Sequence, residues 1–359
     1  MKRIVAVGTE AAVRAHAERY RRFDDATVRG VVGTDIESNA DYDRSADYDR
    51  SADYDRSVDA DDSAKRDEAD ALDASTAPRY ESLTEALEAV DGTNVDGIDV
   101  CGPGVSHVDA LETALEAGVP VRCDPPIALD ADRFDRLVSS ASESEGWLVA
   151  HSPHRFSRMY GRLHSTVESG GIGPVGVARV ERTAPFEGPG WNVSYDGVRA
   201  VAGHTEALCS VLAHDVDVLE WTFGPVERVF VRVRESERCD HAHAVLAFRE
   251  GGRATAEIRW HRTETPAPRV GVEYSGKHGR LDFDEDDAST AFRAGATPLA
   301  VDPPEDDCRG RALRAFLDRL GGTGAQPTNV APASPSRVVV AARRSAAENR
   351  PVTLTEESP

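Results

Sequence analysis

The first 150 residues, leaving out one acidic segment, alternate between short apolar runs and amphipathic stretches with helical spacing. This alternation is typical of parallel βαβ units, in which helices cover both faces of a sheet and leave each strand almost wholly apolar. It therefore predicts a parallel sheet. The predicted strands are Arg3 to Val7, Thr27 to Val32, Gly97 to Cys101, Val119 to Cys123 and Trp147 to Ala150. The predicted helices are Ala11 to Phe23, Ser82 to Val90, His107 to Ala117 and Ala131 to Ser142.

After His151 the pattern changes to two helices, an irregular stretch between them, and then consecutive β-like runs separated by Gly-rich turns. Such runs predict an open, mainly antiparallel sheet backed by helices. We expect an α/β chain with a Rossmann-type parallel sheet in residues 1–151 and an α+β domain with a large sheet in residues 152–359. The predicted elements are helices Ser157 to Ser169, Glu206 to Phe223, Gly310 to Leu320 and Pro335 to Asn349, and strands Val226 to Arg234, Ala242 to Arg249, Arg253 to His261 and Val270 to Ser275.

A tandem repeat interrupts the first domain. The string ADYDRS occurs three times between Ala40 and Ser57, and residues 36–77 carry fourteen acidic against five basic side chains. The segment has few aliphatic residues, so the apolar surface that it could bury does not offset the conformational entropy lost on ordering. We predict that residues 36–78 form a disordered acidic insertion. A calcium-binding interpretation is weaker, because the glycine and glutamate of an EF-hand loop do not recur.

The net charge of −21 comes from 63 acidic and 42 basic residues, and only Lys2, Lys65 and Lys277 are lysines. A polyanionic surface repels phosphates and anionic membranes, so neither nucleic acid nor membrane is an expected partner. Dissolved salt screens the repulsion between like charges, so the large negative charge indicates a protein adapted to high salt. A GC-rich genome is the alternative, but it explains arginine in place of lysine and not the excess of aspartate.

The chain has no apolar run of eighteen residues and no recognisable secretory signal at its start, so we expect it in the cytoplasm. The five cysteines are scattered without a CxxC pair. Neither a disulfide framework nor a metal site is predicted from them.

Four strings carry a family resemblance, in the order VDGIDVCGPGVSHVDALETALEAGVPVRC, HRFSRMYGRLHSTVESGGIGPV, LAHDVDVLEWTFGPVERV and RVVVAARRSAAENRPVTL. Together they resemble the Gfo/Idh/MocA oxidoreductases over nearly the whole chain. The resemblance implies an N-terminal Rossmann domain, a C-terminal α/β domain, NAD or NADP as cofactor, a small sugar-like or polyol substrate, and a homo-oligomer.

The turn after the first strand departs from the dinucleotide fingerprint, which needs three glycines. Gly8 is the first, but Glu10 and Val13 stand in the other two places, and a carboxylate there would repel a pyrophosphate. Asp35 is either a ribose-hydroxyl acceptor that favours NAD or a solvent-facing turn residue. The resemblance adds further cofactor-binding candidates, which are Thr9, Pro103, His107, Asp124 and Pro126.

The positions of the catalytic residues also depart from the family pattern. The resemblance places a catalytic lysine in a Glu-Lys-Pro tripeptide, where this chain has Asp124-Pro125-Pro126, and an aspartate where it has Ser210. His214 remains as the candidate proton-transfer residue. Glu206 and Ser210 precede it by eight and four residues on one helical face and are candidates to orient it. A histidine retained for packing is an equal alternative.

Two further stretches carry ligand-type side chains. Trp191, Asn192 and Tyr195 lie where the resemblance implies substrate contacts, with a packed surface loop as the alternative. His241 and His243 share one face of a strand, but two histidines seldom make a metal site, and an exposed strand end is the better interpretation.

Two functions remain open from the sequence. One is an NAD(P)-dependent oxidoreductase acting on a sugar, polyol or related hydroxyl or carbonyl compound, weak or divergent in catalysis. The other is a catalytically silent relative that serves as a ligand sensor or partner subunit. The fold does not choose between them.

Overall fold

The computed structural model describes residues 1–33, 77–90, 95–185, 196–261, 269–284, 292–294, 297–299, 307–323 and 334–354. Of the acidic repeat segment, only Ala77 and Pro78 are among them. Whether that segment is ordered stays a prediction.

The first sheet has six strands, all parallel, in the order β3-β2-β1-β4-β5-β6. This is the expected parallel sheet, with one additional edge strand of two residues, β3. Its strands are β1 (Lys2–Gly8), β2 (Ala26–Gly33), β3 (Arg79–Tyr80), β4 (Gly97–Pro103), β5 (Val121–Asp124) and β6 (Leu148–Ala150). The helices between them are α1 (Glu10–Tyr20), α2 (Leu83–Ala89), α3 (Val108–Glu116) and α4 (Ala131–Glu143).

The residues of β1 show why these strands are apolar throughout. Val5 and Val7 pack in one hydrophobic cluster, and Ile4 and Ala6 pack in another. Successive side chains of a strand point to opposite faces, so both faces of this sheet are covered.

The second sheet has seven strands in the order β12-β11-β7-β10-β9-β8-β15. Strands β10 and β7 run parallel, and the other neighbours run antiparallel, which confirms a mainly antiparallel sheet. Its strands are β7 (Val175–Pro185), β8 (Val226–Arg234), β9 (Cys239–Phe248), β10 (Arg253–His261), β11 (Arg269–Gly276), β12 (Arg280–Asp284) and β15 (Val352–Thr353). The remaining elements are a small hairpin of β13 (Phe292–Ala294) and β14 (Thr297–Leu299), and the helices α5 (Arg158–Glu168), α6 (Asp196–Phe223), α7 (Cys308–Leu320) and α8 (Ser334–Glu348).

One face of this second sheet forms the core of the C-terminal half. Residues in β9 and β10 alternate between buried and half-buried, as a strand with one covered face should. The buried side chains, including Ile258 and Trp260, pack in a single cluster with residues of α6 and α8. The opposite face carries polar side chains such as His241, Glu257 and Arg259.

Helix α7 returns to the first sheet although it follows the second in sequence. Leu313, Phe316 and Leu317 are buried in the same cluster as Ile4 and Tyr20. The covering layer of the parallel sheet is therefore built from both ends of the chain.

Two boundaries differ from expectation. Strand β7 falls in the stretch expected to be irregular, and α6 begins at Asp196, ten residues before the predicted start at Glu206. Among the described helices, none has the length and apolar character needed to cross a membrane.

Candidate active site

The carboxyl ends of β1, β4 and β5 meet at one edge of the parallel sheet, where open α/β folds bind their ligands. These strands end at Gly8, Pro103 and Asp124. Pro103 pairs with Asp124 across the two strands. Helix α6 contacts β4 and the 3₁₀ turn at Gly104–His107 that follows it. The candidate site thus lies where α6, a helix that packs on the second sheet, contacts the carboxyl edge of the first sheet.

The turn from β1 into α1 lies close to the backbone of β4 and is capped by a threonine. Gly8 has φ of +155°, and a Cβ there would lie 3.2 Å from Cβ and 3.3 Å from the carbonyl oxygen of Cys101. Thr9 caps α1 by accepting a hydrogen bond from Ala12 N–H at 3.3 Å. First-turn N–H groups have no acceptor within their own helix, so they favour a bound phosphate.

The carboxylate of Glu10 is compensated rather than isolated. It lies 3.2 Å from the guanidinium of Arg79 and 3.6 Å from that of Arg14. Val13 is buried in the cluster beneath α1. The negative charge of Glu10, from which repulsion of a pyrophosphate is expected, is therefore balanced locally by two cations.

A buried ionic network lies beneath this edge of the sheet. Both carboxylate oxygens of Asp99 are engaged at 2.8 Å, one by His16 Nδ1 and the other by Arg122. Burial disfavours this carboxylate, but the charges of His16 and Arg122 prevail and hold the pKa of Asp99 well below its usual range. Cys101 lies close to His16 and Asp99. Burial raises the pKa of its thiol. Because the Arg122 guanidinium already supplies a cation to Asp99, we interpret this group as a charge network rather than a metal site.

Asp124 ends β5 and takes its partners from two parts of the chain. It accepts hydrogen bonds from Arg122 and from Arg309 of α7, the latter at 3.4 Å. Burial opposes ionisation, yet these two guanidinium groups lower its pKa. The peptide bond between Pro125 and Pro126 is cis, and the carbonyl oxygen of Pro126 accepts a hydrogen bond from Val105 N–H at 2.8 Å. Position 125 has no amine to offer.

His214 is buried on α6, with 1% of its surface exposed. Its Nδ1 lies 3.1 Å from Oγ of Ser152. Burial lowers the pKa of His214 to about 4, against an opposing effect of the Asp124 charge. The imidazole is therefore neutral at pH 7. The backbone N–H of Ser152 donates to Asp217 Oδ2 at 3.0 Å, which fixes the serine.

Other ionisable side chains surround His214. The ring of His154 lies 6.1 Å from that of His214 and stacks on Tyr160 at 5.0 Å. Burial places the pKa of His154 well below its usual value. Arg182, a buried residue of β7, forms hydrogen bonds with Asp215 through two of its nitrogens. His107 is also buried, which lowers its pKa to about 4.

Four residues of this region were not predicted from the sequence: Ser152, His154, Arg182 and Arg309. A usable signal existed only for His154 and its neighbour Arg155, which open the second of the four family strings. The others reach the site through contacts between distant segments.

Several predicted site residues lie outside the described part of the chain. Asp35, Trp191, Asn192 and Tyr195 are among them. Glu206 and Ser210 lie on α6, but the description does not extend to their side chains. Their roles stay predictions.

His241 and His243 lie on β9, on the polar face of the second sheet. Nε2 of His241 is 2.9 Å from Glu257, and the two histidine rings lie 6.5 Å apart. These contacts make His241 part of a surface network of charged side chains.

Two family models match the chain. One, described as "Oxidoreductase family, NAD-binding Rossmann fold", matches residues 2–151, and the other, described as "GFO/IDH/MocA C-terminal domain", matches residues 160–282. A nicotinamide cofactor is thus confirmed as the cofactor class of the family.

Curated relatives include enzymes named for inositol. The myo-inositol 2-dehydrogenase of Thermotoga maritima is 25% identical over 241 residues, which cover 65% of this chain and 67% of the relative. The inositol 2-dehydrogenase of Corynebacterium glutamicum strain R is 27% identical over 183 residues, which cover 49% of each chain. The chain thus spans about half the length of the latter.

Solved structures share the fold over nearly the full length. A myo-inositol dehydrogenase of Corynebacterium glutamicum has a TM-score of 0.67 at 18% identity, covering 99% of both chains. The WlbA dehydrogenase of Bordetella pertussis, in complex with NADH and UDP-GlcNAcA, has a TM-score of 0.72 at 18% identity, covering 99% of this chain and 100% of the other. With both halves matched by its domain models, the chain belongs to the Gfo/Idh/MocA family of oxidoreductases.

Proposed function

We propose that this protein is an NAD(P)-dependent oxidoreductase that interconverts a secondary hydroxyl and a carbonyl on a sugar or polyol. Cyclic polyols are the first substrates to test, because the curated relatives named above are inositol 2-dehydrogenases. The observation that carries the proposal is His214, a buried neutral imidazole on α6, the helix that contacts β4 and the turn after it at the carboxyl edge of the parallel sheet.

His214 has the properties of a proton acceptor. In the tautomer whose Nδ1–H donates to Ser152 Oγ, the lone pair lies on Nε2, which would take the proton of the substrate hydroxyl. A base that is neutral at working pH needs no prior deprotonation. Ser152 fixes the ring orientation, as second partners of catalytic histidines do.

Gly8, Thr9 and the first turn of α1 would hold the pyrophosphate of the dinucleotide. Pro103, His107, Asp124 and Pro126 would lie along its nicotinamide end. A bound nicotinamide supplies the hydride acceptor or donor. Asp35 favours NAD over NADP in this proposal, because a carboxylate repels a 2′-phosphate.

We assign cofactor binding to residues 1–151, and substrate binding and assembly to residues 152–359. The polar outer face of the second sheet, with Arg179, His241 and Glu257, is the surface that we expect to form a homo-oligomer. Its ion pairs suit a contact that must also tolerate water. We also propose that the protein is located in the cytoplasm and is adapted to high salt.

Cofactor binding and turnover are measured separately. The protein is titrated with NADH and NADPH in molar KCl by nicotinamide fluorescence, and then assayed with myo-inositol and NAD⁺. We expect saturable binding of NADH and turnover that His214→Asn reduces by about 10²–10⁴-fold. His278→Asn, at an exposed position in the turn between β11 and β12, is the matched control and should retain full activity. Turnover that survives His214→Asn would place the chemistry elsewhere.

A catalytically silent family member is the second candidate. It is favoured by Pro125 and Ser210, where the family resemblance places an amine and a carboxylate. Saturable NADH binding without turnover on any polyol or sugar would support it.

A further inference from the structure

Arg309 places a guanidinium at the carboxyl end of β5, next to the position where Pro125 offers no amine. Its Nη1 lies 3.4 Å from Oδ2 of Asp124, the residue directly before Pro125. Arg309 and Asp124 are 185 positions apart in sequence, so a comparison of the motif around residue 125 does not reveal this cation.

The framework that holds Arg309 is rigid. Helix α7 begins directly after Asp307, whose carboxylate accepts hydrogen bonds from Gly310 N–H at 2.9 Å and from Arg19 Nε at 3.0 Å. Leu313 and Leu317 of the same helix are buried in the core of the parallel sheet. A catalytic group must be fixed relative to its scaffold, and these contacts fix the part of the helix that carries Arg309.

Arg122, the other guanidinium on Asp124, is less suited to meet a substrate. Its nitrogens contact Asp99 and Asp124, whose side chains are fully buried, and only 5% of its own side chain is exposed. Arg309 approaches the same carboxylate with 19% of its side chain exposed. Arg122 is enclosed in the buried network, whereas Arg309 retains surface that a ligand can reach.

The charge of Arg309 also reaches the candidate base. Together with burial and Arg182, it lowers the pKa of His214, while Asp124 and Asp217 act in the opposite direction. It acts on His154 in the same sense. Arg309 contacts Asp124 at the end of β5, and the charges of Arg309 and His214 both lower the pKa of that carboxyl group.

We propose that Arg309 is a catalytic residue whose guanidinium donates a charged hydrogen bond to the substrate oxygen, in place of the ammonium that position 125 lacks. This inference rests on the proposed function. As the hydroxyl gives its proton to His214, negative charge grows on that oxygen, and a fixed cation stabilises it. Because a guanidinium stays protonated, Arg309 would stabilise charge without exchanging a proton.

The first test compares Arg309→Gln with Arg314→Gln, a substitution of the same type on the same helix whose partners Asp25 and Asp318 lie outside the site. Removing a hydrogen-bond donor to a developing oxyanion costs about 10²–10³-fold in kcat. We expect this loss in Arg309→Gln, with a smaller change in KM, and near-normal kinetics in Arg314→Gln. Arg309→Lys should recover part of the loss, and it serves as the test protein if Arg309→Gln does not fold.

The second test separates catalysis from neutralisation of Asp124. Asp124→Asn removes the charge that Arg309 would otherwise only balance. If Arg309 acts on the substrate, the double variant Asp124→Asn/Arg309→Gln should be about 10²–10³-fold slower than Asp124→Asn alone. Equal rates for these two variants would overturn the proposal.

A third readout does not depend on turnover. In an NMR titration of ¹⁵N-labelled histidine, with His214 assigned from the His214→Asn variant, Arg309→Gln should raise the pKa of His214. An unchanged pKa would contradict the placement of Arg309. Absence of wild-type turnover would reject the proposed function, whereas turnover that Arg309→Gln leaves intact would reject only this inference.

Discussion

Burial keeps three histidines near the site in the uncharged form. It lowers the pKa of His107 and of His214 to about 4, and it also lowers that of His154. A protein interior disfavours the charged form of any group that has no strong opposite partner. Neutral imidazoles are therefore found in this region, in contrast to the ion pair of Asp99 and Arg122.

The pH dependence of catalysis follows from His214. Because its pKa is about 4, the base is unprotonated down to that pH, and we expect kcat/KM to stay level from pH 7 to about 5 and to fall below that. Initial rates at constant ionic strength, with circular dichroism at each pH as a check on folding, measure this. An acid limb near the ordinary histidine value of about 6.5 would contradict the assignment.

Glu220 on α6 provides a test of stability. Burial raises its pKa to about 7, and one carboxyl oxygen accepts a hydrogen bond from Val226 N–H at 2.9 Å. A carboxyl group with a raised folded-state pKa binds more protons folded than unfolded, so stability is highest below the unfolded pKa of about 4.5 and falls until about pH 7.

We expect Glu220→Gln to exceed the wild type in free energy of unfolding by up to about 3 kcal/mol at pH 8, and to match it near pH 4.5. Urea unfolding at the two pH values measures this difference. Glu227→Gln, at an exposed position of the adjoining strand, is the control and should show no such pH dependence. A constant difference at both pH values would show that Glu220 is already ionised when buried.

Strand β11 contains a pair of glycines that test its packing. At Gly276 a Cβ would lie 2.3 Å from the carbonyl oxygen of Ile172, whereas at Gly271 nothing lies within 4 Å. Backbone atoms can shift only slightly to relieve such a clash. We therefore expect Gly276→Ala to lower the free energy of unfolding by about 2–3 kcal/mol. Gly271→Ala should be neutral or stabilising by up to about 1 kcal/mol. Equal melting temperatures for the two variants would contradict the close approach at residue 276.

Regular apolar patterns made most helices and strands predictable, and β7 shows where they fail. Along that strand, buried Ala178, Val180 and Ala184 alternate with outward residues, but Arg182 occupies one inward position. A charged side chain at a core position interrupts the alternation of apolar residues with a period of two, and pairing with Asp215 offsets the cost of burying its charge.

The site was predictable where one local string carried it. Two candidate residues stand in recognisable local motifs: Asp124, which ends β5, and His214, which lies on α6. Ser152 and Arg309 reach them only through tertiary contacts, across 62 and 185 residues of sequence. Arg79 likewise compensates Glu10 from 69 residues away, and no local reading of the glycine-poor turn reveals it.

The whole molecule carries a net charge of −21, and its stability should depend on salt accordingly. Self-repulsion of this size weakens the compact state, and ions screen it within about 10 Å at 0.1 M and about 3 Å at 1 M. We expect the melting temperature to rise from dilute buffer to molar KCl. Sucrose of equal osmolality is the control, because it stabilises by exclusion without screening charge. A flat or falling melting temperature in KCl would contradict adaptation to salt.

The return of α7 to the first sheet affects how the protein can be synthesised. Leu313, Phe316 and Leu317 close the cluster that holds Ile4 and Tyr20. During translation the packing of the N-terminal half therefore stays incomplete until more than 300 residues have left the ribosome. Until then, apolar surface on one face of its sheet is not covered by α7. A fragment that stops at residue 151 should accordingly aggregate, and the same fragment supplied with a peptide of residues 307–323 should remain in solution.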